Sequence, residues 1–98
     1  MHTLRIEHKI SDYDTWRAAF DRDPIGRPAS GVLQHRILRP LDDPHYILLD
    51  LDFASRQEAD MFLDRLHNEV WGSPRDAPAL VGAPQGQVIE TVDVQSYA

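Results

Sequence analysis

Five histidines, two tryptophans and no cysteine set the chemistry open to this chain. Without thiols there is no disulfide framework, no thiolate metal site and no cysteine nucleophile. Imidazole is then the side chain best suited to move a proton near neutral pH, because its ordinary pKa lies near 6.5. His8 and His35 each sit in an alternating apolar stretch, Leu4-Ile6-His8-Ile10 and Leu33-His35-Ile37, so each is expected on the covered face of a strand. A histidine between Leu33 and Ile37 is costly to bury and needs a partner, a water or a ligand. His35 is therefore the first candidate for a catalytic base and His8 the second. His8 also has a purely structural use, hydrogen bonded near the start of the following helix to Asp12 or Asp14. His67 precedes Trp71 by four residues and so shares a helix side with it, at a cavity mouth. Trp16 and Trp71 have the bulk to be core or cavity wall. His2 and His45 fall at a strand start and a turn, where solvation is expected.

Other constellations fail on spacing. His8 and His35 would stand two strand spacings apart, roughly 10 Å, too far to share one metal ion without a third group, so no metal is expected. Asp50 and Asp52 share a strand face, but arginines on that face offer them ion pairs in preference to a shared proton. Ser11, Ser30, Ser55, Ser73 and Ser96 read as caps and turn residues, with no nucleophile elbow around any of them. Gly82-Ala83-Pro84-Gln85-Gly86 is stiffened by proline and leads into a strand, so it is no phosphate loop.

The elements that must hold these residues follow from periodicity. Thr3 to Ile10 alternates as a half-buried strand. Ser11 or Asp12 caps a helix carrying Tyr13, Trp16, Ala19 and Phe20 at helical spacing, which Pro24 and Gly26 end. Gly31 to Arg39 and His45 to Phe53 form a hairpin across the Pro40 to Pro44 turn. The register that keeps apolar beside apolar places Leu33, His35 and Ile37 with Ile47, Leu49 and Leu51. Ser55 and Glu58 form a capping box for a second helix, whose stripe is Ala59, Phe62, Leu63, Leu66 and Val70 and whose stop is Gly72 with Pro74. Pro74 to Val81 is expected to add a short helical turn. Gln87 to Val94, rich in β-branched residues, closes the domain as a strand, with Val92 and Val94 anchoring it at the sheet edge. The order β-α-β-β-α-β is the split βαβ pattern. It predicts one α+β, ferredoxin-like domain over residues 1–98, with a four-stranded antiparallel sheet ordered 4-1-3-2 and both helices on one face. The other face is left open, with Arg5, Glu7, Lys9, Gln34, Arg36, Leu48, Asp50 and Asp52 on it.

In 98 residues, 10 lysines and arginines face 16 aspartates and glutamates, a net charge of −6. That balance argues against nucleic acid or an anionic membrane as a partner, since both need a basic footprint. No apolar run approaches 18 residues, and Met1-His2-Thr3-Leu4-Arg5 does not begin a signal peptide, so the cytoplasm is the expected compartment. Mixed charges that neutralise one another on the open face suit a sheet packed against its own copy.

The passage from His8 to Asp21, the Gly31-Val32 strand start, Arg39-Pro40-Leu41-Asp42-Asp43-Pro44 and Asp52-Phe53 before the capped helix carry a further likeness. Over nearly its whole length the chain resembles small dimeric α+β barrel proteins, particularly uncharacterised bacterial members of the antibiotic-biosynthesis-monooxygenase-type branch. The resemblance implies a homodimer joined through the open sheet faces, and in each subunit a cavity between sheet and helices. Haem-degrading relatives combine an Asn, a Trp and a His; Asn68, Trp71 and His67 echo that set only loosely, and no haem is implied. Cofactor-independent relatives use Asn, Trp, Tyr and Arg to hold a phenolic substrate, and Asn68, Trp71, Tyr13, Tyr46 and Arg36 supply those residue types without a matching motif.

Two functions of different class follow. One is a metal-free, cofactor-independent monooxygenase acting on a small aromatic or polyketide-like compound, with His35 and His8 as bases and Trp16, Trp71, Tyr13, Asn68 and His67 around the substrate. The other is a non-catalytic ligand-binding or stress-associated dimer, in which the histidines only satisfy buried polar atoms. An open helix-side cavity with His35 on it favours the first, and a filled core the second.

Overall fold

The computed structural model describes residues 1–98. Strand β1 (His2–Ile10) leads to helix α1 (Tyr13–Arg22), strands β2 (Val32–Leu38) and β3 (Tyr46–Phe53), helix α2 (Arg56–Arg65) and strand β4 (Leu80–Glu90). The sheet is antiparallel in the order β2-β3-β1-β4, as the un-knotted split βαβ connection predicts. Asp12 caps α1, its Oδ1 accepting from the Thr15 amide at 2.8 Å. The helix ends at Asp23, in the left-handed region at φ 49°, whose amide donates to the Phe20 carbonyl at 3.1 Å. Ser55 accepts from the Glu58 amide at 3.2 Å. The return bond of this capping box runs from the Ser55 hydroxyl to Glu58 Oε1 at 3.0 Å, in place of the cap amide.

Registers follow the expected parity. Leu4 faces Leu51, Ile6 faces Leu49 and His8 faces Ile47 across β1 and β3, while His35 and Ile37 oppose Leu51 and Leu49. Leu4, Ile6, Leu49, Leu51 and Phe53 form the core with Ala59 and Phe62 of α2, and a second cluster joins Ile10, Trp16, Ile47 and Ala79. On the open face Arg5 and Arg36 bracket Asp50, Arg36 also reaches Asp52, and Thr3 and Gln34 donate to Asp52 at 2.7 Å each. Hydrogen bonds from Arg5 hold Asp50 below the usual carboxylate range. Burial pushes Asp52 upward, but the bonds from Thr3 and Gln34 and the charge of Arg36 outweigh it and leave it low as well.

Three expectations are corrected. A bulge between Val32 and Gln34 turns Val32 inward against the core and leaves Leu33 exposed, so Leu33 does not share the face of His35. Ser73 caps a single turn, with its carbonyl accepting from Ala77 at 2.8 Å, and the chain enters β4 at Leu80 without the longer helical segment. β4 therefore starts seven residues earlier than Gln87 and ends at Glu90, so Val92 and Val94 lie beyond it and are exposed. Long β1 is the reason: Lys9 and Ile10 pair with Val81 and Leu80, and a bulge of Gly82, Ala83 and Pro84 opposite His8 absorbs the proline on the outer edge.

Candidate functional site

Between the sheet and its helices lies a cavity of about 100 Å³. That is room for about three water molecules at roughly 30 Å³ each, or for about one aromatic ring, with the rest of a larger ligand at the open mouth. Ile6, Leu49 and Leu51 form its floor, Trp16, Ala19 and Phe20 of α1 one wall, and Phe62, Leu66 and Trp71 the other. Four polar side chains reach it: His8, Asp23, Arg27 and Asp76.

His8 is 7% exposed and its Nδ1 lies 3.1 Å from the Lys9 carbonyl oxygen. A carbonyl only accepts, so Nδ1 carries the proton and Nε2 presents a lone pair. Nε2 has no protein partner, and it is not among the sealed polar atoms, so it is left to the cavity. Burial lowers the His8 pKa, against the opposing bond to Lys9, and the ring is neutral at neutral pH. The structural partner is thus Lys9; neither Asp12, engaged at the helix cap, nor Asp14 bonds the ring. Trp16 stands 6.4 Å from His8 and stacks on Phe20 at 5.1 Å and 20°. The guanidinium carbon of Arg27 lies 3.6 Å from the centroid of the Phe20 ring.

Trp71 reaches the opposite wall because α2 does not continue as an α-helix. Leu66–Val70 form a π turn, closed by the Trp71 amide on the Leu66 carbonyl at 2.8 Å. Bonding from i to i+5 returns the chain to the same face after five residues, so Leu66 and Trp71 both line the cavity. His67 meets the Trp71 ring edge-on at 4.7 Å but is exposed, as is Asn68, and neither lines the cavity.

His35 is placed differently from its expectation. It keeps the helix-side face, but β2 is an edge strand, and α2 packs mainly on β1, β3 and β4. The ring is exposed, meets Phe20 in a T-shaped contact at 5.0 Å, and lines no part of the cavity. Its pKa is lowered by desolvation and by the charges of Arg27 and Arg17. Tyr13 is half-buried beside Trp16 at 5.9 Å, with its hydroxyl accepting from Arg17 at 3.3 Å, also outside the lining. The cavity therefore gathers His8, Trp16 and Trp71, and leaves His35, Tyr13, Asn68 and His67 outside. His2 is not solvated at Nδ1, which is buried without a partner. Sequence reading missed Phe20, Asp23 and Arg27 as site residues. The Asp23 to Arg27 loop has no periodicity, and its one usable sign is an arginine just after an aromatic helix stopped by Pro24. No group of three histidine or carboxylate side chains gathers within reach of one metal ion.

Sheet, helices and cavity define a ferredoxin-like α+β protein with a helix-covered pocket. No protein-family model matches the chain, and no curated protein is similar to it in sequence. Among solved structures it is similar to a dimeric ferredoxin-like protein from an uncultured marine organism, with TM-score 0.65 and 10% identity over 99% of this chain and 100% of that one. It is also similar to candidate antibiotic biosynthesis monooxygenases. That from Nitrosomonas europaea has TM-score 0.61 and 17% identity over 95% of this chain and 100% of its own. That from Chloroflexus aurantiacus has TM-score 0.57 and 16% identity, covering 99% and 96%. At these identities the likeness is one of fold. No helix is long and apolar enough to cross a membrane.

Proposed function

We propose that the protein is a homodimer joined through its open sheet face, and that each cavity binds a small aromatic compound and oxidises it with dioxygen, without metal or organic cofactor. The unprotonated Nε2 of His8, set in a mostly apolar and aromatic-walled space, carries this proposal. The chemistry is written here for 1-naphthol. His8 takes the hydroxyl proton, and the naphtholate carries its charge to C4, which forms a C–O bond to dioxygen. The peroxide takes the proton back from His8 and loses water, leaving the C4 carbonyl. One dioxygen and one naphthol give one 1,4-naphthoquinone and one water, and the substrate supplies all four electrons. Burial makes His8 a weaker base than free imidazole, so proton transfer is uphill and loss of water drives the sequence forward.

Support for the dimer comes from the open face, where Leu38, Leu48, Val81 and Ile89 surround a charge network that is already neutralised within the chain. Covering paired charges costs less than covering free ones. A dimeric neighbour of the same fold agrees with it. A second reading, ligand binding without turnover, is favoured by the His8 bond to Lys9, which would equally satisfy a core histidine.

The test is oxygen uptake with 1-naphthol in air, alongside calorimetric binding, for the wild type and His8→Gln. The expected result is one quinone per dioxygen, with a rate about 100-fold lower in the variant at similar affinity. Binding without oxygen uptake selects the second reading, and absence of binding overturns both.

A further inference from the structure

Arg27 is the one arginine that lines the cavity. Arg5, Arg17, Arg36, Arg56 and Arg65 each lie within 3.4 Å of a carboxylate oxygen, on the open face or on helix surfaces. Arg27 instead lies over Phe20 and lines the cavity, with its side chain 17% exposed. Its Nη1 donates to the Phe20 carbonyl at 2.9 Å, and its nearest carboxylate oxygen, on Asp23, stands 3.6 Å away. That carboxylate is already occupied, since both of its oxygens accept from the Arg27 amide at 2.9 Å. A guanidinium has five N–H donors in a planar fork. Nε and Nη2 of Arg27 have no protein acceptor, and neither is a sealed atom. Desolvation outweighs the charges of Asp23 and Asp21 at this group, so the cation is short of negative charge.

Resting on the aromatic-cavity reading above, the geometry points to a ligand that is an aromatic acid, its carboxylate on the free fork of Arg27 and its hydroxyl donating to His8 Nε2. Both contacts are charge- or geometry-specific. The fork matches a planar carboxylate, whereas His8 Nε2 accepts one proton only. Trp16 and Phe20 both line the cavity with these two groups, and an aromatic wall favours a flat ligand. Asp76, on the Ser73 turn, also lines the cavity and would repel an anion seated beside it. Arg27 is the only arginine or lysine of the lining, so the acid end is directed to it.

The test is calorimetric binding to the full chain of four probes that share one ring system: 6-hydroxy-2-naphthoate, 2-naphthoate, 2-naphthol and the cation 2-(aminomethyl)naphthalene. The expected order has 6-hydroxy-2-naphthoate about tenfold tighter than 2-naphthol, with 2-naphthoate between them. Arg27→Gln levels hydroxynaphthoate with naphthol, and Arg27→Lys restores part of the difference. If Arg27→Gln does not fold, the comparison of probes on the wild type still decides. Naphthol binding as tightly as hydroxynaphthoate overturns the inference and leaves the aromatic cavity standing, as does a cation that binds tightest. Failure of all four probes overturns the cavity reading itself.

Discussion

Arg5 grips Asp50 with a two-bonded fork, Nε and Nη2 each 2.8 Å from a different carboxylate oxygen, on an aspartate that is 2% exposed. Arg36 closes on the same carboxylate from the other neighbouring strand at 3.3 Å, so one buried side chain of β3 ties together β1 and β2. Asp50→Ala leaves two arginines facing one another without their counter-charge. The expected cost is about 2 kcal/mol, since hydrogen bonds to charged groups each contribute roughly that much and the arginines keep partial access to water. Urea unfolding checks it, and a change below about 0.5 kcal/mol would show the network to be decoration.

Acid is expected to destabilise the protein in two stages. Burial lowers the His8 pKa, and His35 moves in the same direction, so below the ordinary histidine value of about 6.5 the unfolded chain binds protons that the folded chain does not. Stability is full above that pH and falls as pH drops through it. Asp50 and Asp52, held low in the folded state, retain their contribution down to about pH 4 and lose it below. A thermal melting series from pH 8 to 3 reads both stages, and His8→Gln makes the first one shallower. A Tm that rises between pH 7 and 5 contradicts this assignment.

Assembly is tested at Leu48, a half-buried residue of the open face that pairs with Leu38. Leu48→Glu places an unpaired charge in the proposed interface. Light scattering at low micromolar concentration is expected to give twice the 11.2 kDa chain mass for the wild type and the single chain mass for the variant. A wild-type protein that is monomeric under these conditions overturns the dimer.

Gly31, at φ 96°, stands where the chain enters β2 and where an added Cβ would run into the Glu58 carboxylate of the capping box. Gly31→Ala is expected to cost about 1–3 kcal/mol, from backbone strain and from displacement of Glu58. Chemical denaturation reads the loss, and an unchanged midpoint would contradict the close approach.

Alternation and capping made most of this fold legible. Placing Leu33, His35 and Ile37 with Ile47, Leu49 and Leu51 was the hairpin register that kept apolar beside apolar, and it holds for His35 and Ile37, while Ser55 with Glu58 marked a helix start directly. What escaped were insertions, because one extra residue changes the phase of everything after it and has no side chain of its own to announce it. The bulge at Val32 exchanged Leu33 for Val32, the π turn brought Trp71 onto the face of Leu66, and the Gly82 to Pro84 bulge hid half of β4 behind residues that read as loop. The site was half legible for a related reason. His8 and His35 lie on the same face of the sheet, but a sequence pattern says which face a residue takes and not how far the helices extend over it. Arg27 and Phe20 meet through a loop and a cation-π contact, neither of which leaves a period to read.

The bulge at Gly82 to Pro84 also bears on how the protein avoids sticking to itself. β4 is an outer strand, and a straight outer strand is a template onto which another chain can hydrogen bond without limit. Pro84 has no amide hydrogen to offer, and the three-residue kink breaks the even spacing of the donors on either side of it. Growth along the rim is interrupted within one strand length, which leaves the flat of the sheet as the surface for the proposed dimer contact.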